Sequence, residues 1–246
     1  MNFTIKDLMH ETKDPFSRAY WKITTSSFLL LMLSAGMSYS SLIGSVNQIP
    51  ELIRNVASQE FTSGRRLDFR MIVILLTMIG GMLILSLMVK FLIDILLDNP
   101  LEVGGARMML NAMESDKPVM LASLAYAFDA DYLGTVKVMF LKRFFRDMWL
   151  LLLVVPGIMK HYEYMMIPYL LAENPYMSSK EAFAKSKQLM TGHKMKAFLI
   201  DLYFVPLQLL GIITLGLMTV FYVAPKKNLV IADFYKKIKE EREGEE

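Results

Sequence analysis

The apolar residues of this chain are bunched into runs that no water-facing surface carries. They are Phe28–Leu33 (FLLLML), Ile72–Leu76 (IVILL), Met82–Val89 (MLILSLMV) and Met148–Val155 (MWLLLLVV). The composition alone understates this: 54% apolar and 21% charged stand close to the roughly 45–50% and about 25% of soluble domains. Grouping, not the mean, points to an all-α polytopic membrane helical bundle of about six spans with amphipathic surface helices. The apolar content excludes disorder. The lack of any cysteine excludes a disulfide scaffold, thiol catalysis and Cys-based zinc or iron–sulfur sites. A net charge of +3 gives no ground for nucleic acid as a partner.

Residues 1–22 read as a cytoplasmic amphipathic segment. Phe3, Ile5, Leu8 and Met9 fall at loosely helical spacing among charges, and Pro15 is expected to end the helix. A secretory signal is the rival reading, opposed by the acids before the apolar run and by its continuation to Ile43. The membrane domain covers 23–232. Span one is Ile23–Val46, with Tyr20 and Trp21 as an aromatic anchor and Ser34, Gly36, Ser38, Ser40 and Gly44 as small residues for helix contact. Ile49, Leu52, Ile53 and Val56 form a short amphipathic helix before Gly64-Arg65-Arg66. Span two is Met71–Ile93, with Gly80-Gly81 marking a kink or close approach, and Asp98-Asn99-Pro100 makes a turn after it.

Span three, Tyr132–Val155, carries Lys137, Lys142, Arg143 and Arg146 in its first half, so it enters obliquely with basic stems reaching the headgroups. Pro156-Gly157 then breaks the chain, and Ile158–Ala172 makes a short fourth span. Spans three and four form a hairpin, either fully spanning or re-entrant. Ser178 with Glu181 caps a surface helix to Met190, which Gly192 stops. Span five is Lys196–Ile213, Thr214-Leu215-Gly216 turns, and span six is Leu217–Ala232, interrupted at Pro225. Residues 233–246 are a charged cytoplasmic tail with a solvated face. With six spans both termini share a side. That side carries 21 Lys and Arg against five opposite, which places the termini in the cytoplasm.

Few constellations carry chemistry. His161 and Glu163 stand two apart, so they point to different helix faces and do not make a metal site. Asp129 and Asp131 fit a helix N-cap better than an acid/base pair. Asp94 and Asp201 lie at membrane depth, either as interfacial ion pairs (Asp94 with Lys90) or along a polar pathway. Lys137, Lys142, Arg143 and Arg146, interleaved with Phe140, Phe144, Phe145 and Trp149, read as anionic-lipid headgroup contacts. No Walker loop, HExxH or GxSxG is present, so no catalytic residue, metal or cofactor is expected.

A family resemblance rests on specific runs. These are Leu150–Ile158 with Pro156-Gly157, Tyr169-Leu170-Leu171-Ala172-Glu173-Asn174-Pro175, Ser186–Lys194, Phe198–Leu202, Leu210-Gly211, Thr214-Leu215-Gly216, Pro225 and Phe234-Tyr235, together with Pro100–Gly104 and Phe128. In these the chain resembles the domain-of-unknown-function family numbered 975, found as bacterial integral membrane proteins. More distantly it is similar to the membrane domain of some glycerophosphodiesterases. It departs from the family in carrying Lys226 after the last proline, which makes that turn more polar. The resemblance implies a multi-spanning bacterial plasma-membrane protein and brings no activity with it.

The expectation is therefore a non-enzymatic membrane module that binds anionic lipid, or a protein partner at its cytoplasmic helices, in envelope maintenance or transport. A homo-oligomer is one arrangement open to it. The alternative is a small transporter or channel with a polar path near Asp94 and Asp201.

Overall fold

Runs of Leu, Met, Ala and Lys with few internal breakers favour helix, and helix is what forms. The computed structural model describes residues 3–29, 44, 47–51, 54–55, 69–114 and 121–244, and no strand occurs among them. The chain divides into two compact units: Met1–Leu31 with Asp98–Glu246, and Met32–Leu97. Residues 30–43, which hold most of the small residues of the expected first span, lie outside the described residues. So do Leu52, Ile53, Val56 and Gly64-Arg65-Arg66.

The smaller unit contains the third helix in chain order, α3, Phe69–Ile93. At about 1.5 Å per residue, its 25 residues exceed the roughly 30 Å of a hydrocarbon core. It is apolar all round, with Leu76, Ile84, Leu85 and Met88 exposed. Gly80 and Gly81 sit in unbroken helix, where a Cβ would meet nothing within 4 Å. They mark neither a kink nor a close approach among the described residues. The turn expected at Asp98-Asn99-Pro100 is also absent. Helix continues through a π turn at Asp94–Asp98 into α4, Asn99–Met113, with Pro100 in its first turn.

In the larger unit, α1 is Ile5–Glu11. Its N-terminus is closed by a reciprocal pair: Asp7 N–H donates to Thr4 Oγ1, and Thr4 N–H donates to the Asp7 carboxylate. A new helix, α2, covers residues 13–29 and takes Pro15 into its first turn, so this proline starts a helix rather than ending one. After a 3₁₀ turn at Leu121–Ala125 come α5 (Tyr126–Asp129), α6 (Tyr132–Leu152), α7 (Val154–Glu163) and α8 (Ile167–Glu173). Asp131 caps α6 by accepting from Gly134 N–H at 3.1 Å.

The hairpin break falls at Leu153, in extended backbone (φ −154°), three residues before Pro156. Pro156 sits in the first turn of α7, where its missing N–H has no partner to lose. Gly157 is where α7 crosses α6, since a Cβ there would lie 2.5 Å from Leu150 Cα. The expected fourth span is thus two short helices, and Ile167, Leu170, Leu171 and Ala172 of α8 are core residues. Apolar composition alone does not separate a lipid-facing helix from one buried in protein.

The remaining helices are α9 (Ser179–Met190), α10 (Lys194–Ile213) and α11 (Ala224–Glu243). Ser178 caps α9 through Glu181 N–H, and Gly192 follows at φ 86°. Leu215 (φ 52°) and Gly216 (φ 85°) turn the chain after α10. Helix resumes at 217 and passes through a π turn, Thr219–Val223, into α11. Pro225 therefore breaks nothing. Nor is the tail a wholly solvated face: Asp233, Phe234, Tyr235 and Ile238 are buried in the core.

Among the described residues, two helices are long and apolar enough to cross a membrane: Ile72–Met113, whose apolar part is α3, and Lys194–Ile213. Helices α6, α7, α8 and α11 do not qualify. Charges interrupt α6 and α11, and α7 and α8 have only 10 and 7 residues.

Candidate functional site

Two helical hairpins of the larger unit end in apolar tips. The α6–α7 tip exposes Leu151 (89%), Leu153, Val154 and Val155; the tip after α10 exposes Ile212, Ile213, Leu215 (94%) and Leu217. Glu163 meets Lys194, while Tyr162 meets Phe198 and Asp201. Numbers falling along α7 thus pair with numbers rising along α10, so the two helices run antiparallel and their tips project the same way.

Below the tips lies a cavity of about 410 Å³, within the roughly 300–1,000 Å³ of small-ligand sites. Its ionisable lining comes from five helices: Glu102 of α4, Lys142 and Arg146 of α6, His161 of α7, Asp201 of α10 and Lys227 of α11. Lys142 Nζ is 2.6 Å from Glu102, and Lys227 Nζ is 2.8 Å from Asp201. Asp201 also accepts from the Tyr162 hydroxyl at 2.9 Å. Arg146 is held through Nε by Asp147, a residue outside the lining. Tyr169, Gln208, Thr219 and Asn228 complete the polar wall.

Of the expected headgroup contacts, Lys142 and Arg146 line this cavity. Arg143 stands behind, 3.8 Å from Glu102, and Lys137 is exposed elsewhere on α6. The two membrane-depth carboxylates part company. Asp201 lines the cavity, whereas Asp94 belongs to the smaller unit and pairs with Lys90 at 2.7 Å. Pro156 and Gly157 belong to the α6–α7 hairpin and Pro225 to the first turn of α11, and none of the three is part of the lining.

His161 and Glu163 do point apart. His161 faces the cavity, while the buried Glu163 carboxylate is bonded to Lys160 and Lys194, each at 2.8 Å. Among the described residues no cluster of three His, Asp or Glu side chains forms a metal site. Sequence reasoning missed Glu102, Tyr162, Tyr169, Gln208, Thr219, Lys227 and Asn228 as parts of one site. The available signal was Gln208, a polar residue set in an otherwise apolar segment, and the polar run Lys226-Lys227-Asn228 inside the expected sixth span.

No curated protein and no solved structure matches the chain. A family model does match residues 118–242, a stretch that includes both hairpins and most of the cavity's charged residues. On that match the chain belongs to the family described as Protein of unknown function (DUF975).

Proposed function

We propose that this protein is a bacterial plasma-membrane module with both termini in the cytoplasm, and that its cavity holds the headgroup of an anionic lipid. The observation that carries the reading is the gathering of Lys142, Arg146 and Lys227 around one cavity of a unit whose two apolar hairpin tips project together. A basic side chain near an anionic surface is worth about 1 kcal/mol, and apolar tips above it suit acyl chains. Each hairpin enters and leaves on one side, whether it crosses fully or re-enters. The two hairpins therefore add an even number of crossings, which leaves the chain on the same side before and after each.

Purification of the full chain in native lipid particles, with mass spectrometry of the retained lipid, tests the proposal. Enrichment of anionic phospholipid over the bulk membrane is expected, and its loss in Lys142→Ala with Arg146→Ala. Lipid retained in bulk proportions overturns the reading.

A second reading, a small transporter or channel, draws support from Asp201, a carboxylate held between Tyr162 and Lys227 inside the cavity. Loss of solute or ion flux in Asp201→Asn at normal expression would favour it over lipid binding.

A further inference from the structure

The balance of charge within the cavity narrows what it accepts, granted that it is a headgroup site. Three permanent cations (Lys142, Arg146 and Lys227) face two carboxylates (Glu102 and Asp201). Two of the cations are already matched, Lys142 by Glu102 and Lys227 by Asp201. Arg146 alone is engaged from outside the lining and only through Nε, so no carboxylate among the described residues engages its terminal N–H groups. Within the lining the cations exceed the carboxylates by one, and Arg146, paired with the exposed Asp147 only through Nε, keeps its terminal N–H groups for one negative charge on a ligand.

A dianionic ligand brings a second charge that must either displace Glu102 from Lys142 or lie close to a carboxylate, and both are unfavourable in a partly buried site. The rest of the wall is neutral and polar: Tyr169, Gln208, Thr219 and Asn228 supply donors and acceptors. Glu102 and Asp201 add acceptor oxygens that a ligand hydroxyl can reach with its proton. The geometry points to a monoanionic lipid phosphodiester with a hydroxyl-bearing headgroup: phosphate against Arg146, hydroxyls toward the carboxylates and amides. A phosphomonoester lipid, with its second charge, is discriminated against.

The test uses the full chain with phosphatidylcholine vesicles carrying equal fractions of either phosphatidylglycerol or phosphatidic acid, at a pH where the latter is a dianion. Phosphatidylglycerol is expected to be retained about fivefold better, what one charge contact is worth at a headgroup. Removing a carboxylate must shift the preference toward phosphatidic acid. Glu102→Gln and Asp201→Asn do this independently, so a failure of one to fold leaves the other decisive.

Equal or better retention of phosphatidic acid by the unaltered chain overturns the monoanion inference and leaves the anionic-lipid reading standing. Retention of both no better than phosphatidylcholine alone overturns both. Displacement of the vesicle lipid by an equal concentration of soluble dimethyl phosphate overturns the lipid as the source of the phosphodiester. No displacement supports it.

Discussion

The hydroxyl of Tyr20 donates to the carbonyl of Phe221 at 3.2 Å, the carbonyl that the N–H of residue 225 would reach in a regular α-helix. Residue 225 is proline and has no N–H to give. The π turn at Thr219–Val223 widens the backbone ahead of Pro225, and Tyr20 from α2 takes up the acceptor. A proline that ends a helix in the sequence pattern is thus absorbed by a bulge and a borrowed donor. Tyr20→Phe should cost about 1 kcal/mol, read as a lower melting temperature in detergent. In a Pro225→Ala background a backbone donor is restored, and the same change should cost close to nothing. A double-mutant cycle checks this; additive costs would refute the coupling.

The hairpin crossings give unequal predictions for the same substitution. A Cβ at Gly157 meets the Leu150 backbone, whereas one at Gly211 meets the hydroxyl of Thr219, a side chain that can rotate away. Gly157→Ala should therefore destabilise by about 1–3 kcal/mol, as overpacked sites do, and Gly211→Ala by clearly less. Thermal aggregation of the purified variants measures the difference, and equal losses would count against the backbone contact.

Local signals were legible where one residue type does one job. The apolar length of α3, the caps at Asp131 and Ser178, the stop at Gly192 and the turn at Leu215-Gly216 all stand where the pattern puts them. Pro15, Pro156 and Pro225 were misleading, because a proline in a first turn looks the same in sequence as one that breaks a helix. Hydropathy also failed for α8, whose Leu170 and Leu171 face other helices. The cavity was hidden for a further reason: Glu102 and Lys142 are 40 residues apart, and Tyr162 and Asp201 are 39 apart. Only the pairing of helices brings such residues together.

The distribution of basic residues makes a topological prediction. With 21 Lys and Arg on one side of the expected spans and five on the other, the positive-inside tendency separates the connection around Ser63 from α9. Reporter fusions at Ser63 and Ser179 should give opposite locations. The same location for both would sink the six-span reading.

Asp233 gives the tail a pH dependence of definite sign. Its carboxylate is 5% exposed, with Lys237 at 3.9 Å. Burial pushes it up to about 6, helped by Glu11 and Glu240 and opposed by Lys237 and Lys236. The unfolded chain releases this proton near the ordinary 3.8. Between the two values the folded state therefore holds a proton that the unfolded state has lost. The stabilisation is complete below about pH 4, falls as pH rises toward 6, and is gone above it. Asp233→Asn stays neutral throughout, so its stability should be flat across that window. At pH 7 it should exceed the unaltered protein by ~3 kcal/mol, the order set by a shift of about two units. Melting temperatures of the two proteins from pH 4 to 7 decide the matter. Parallel curves would mean that the carboxylate is charged and satisfied throughout.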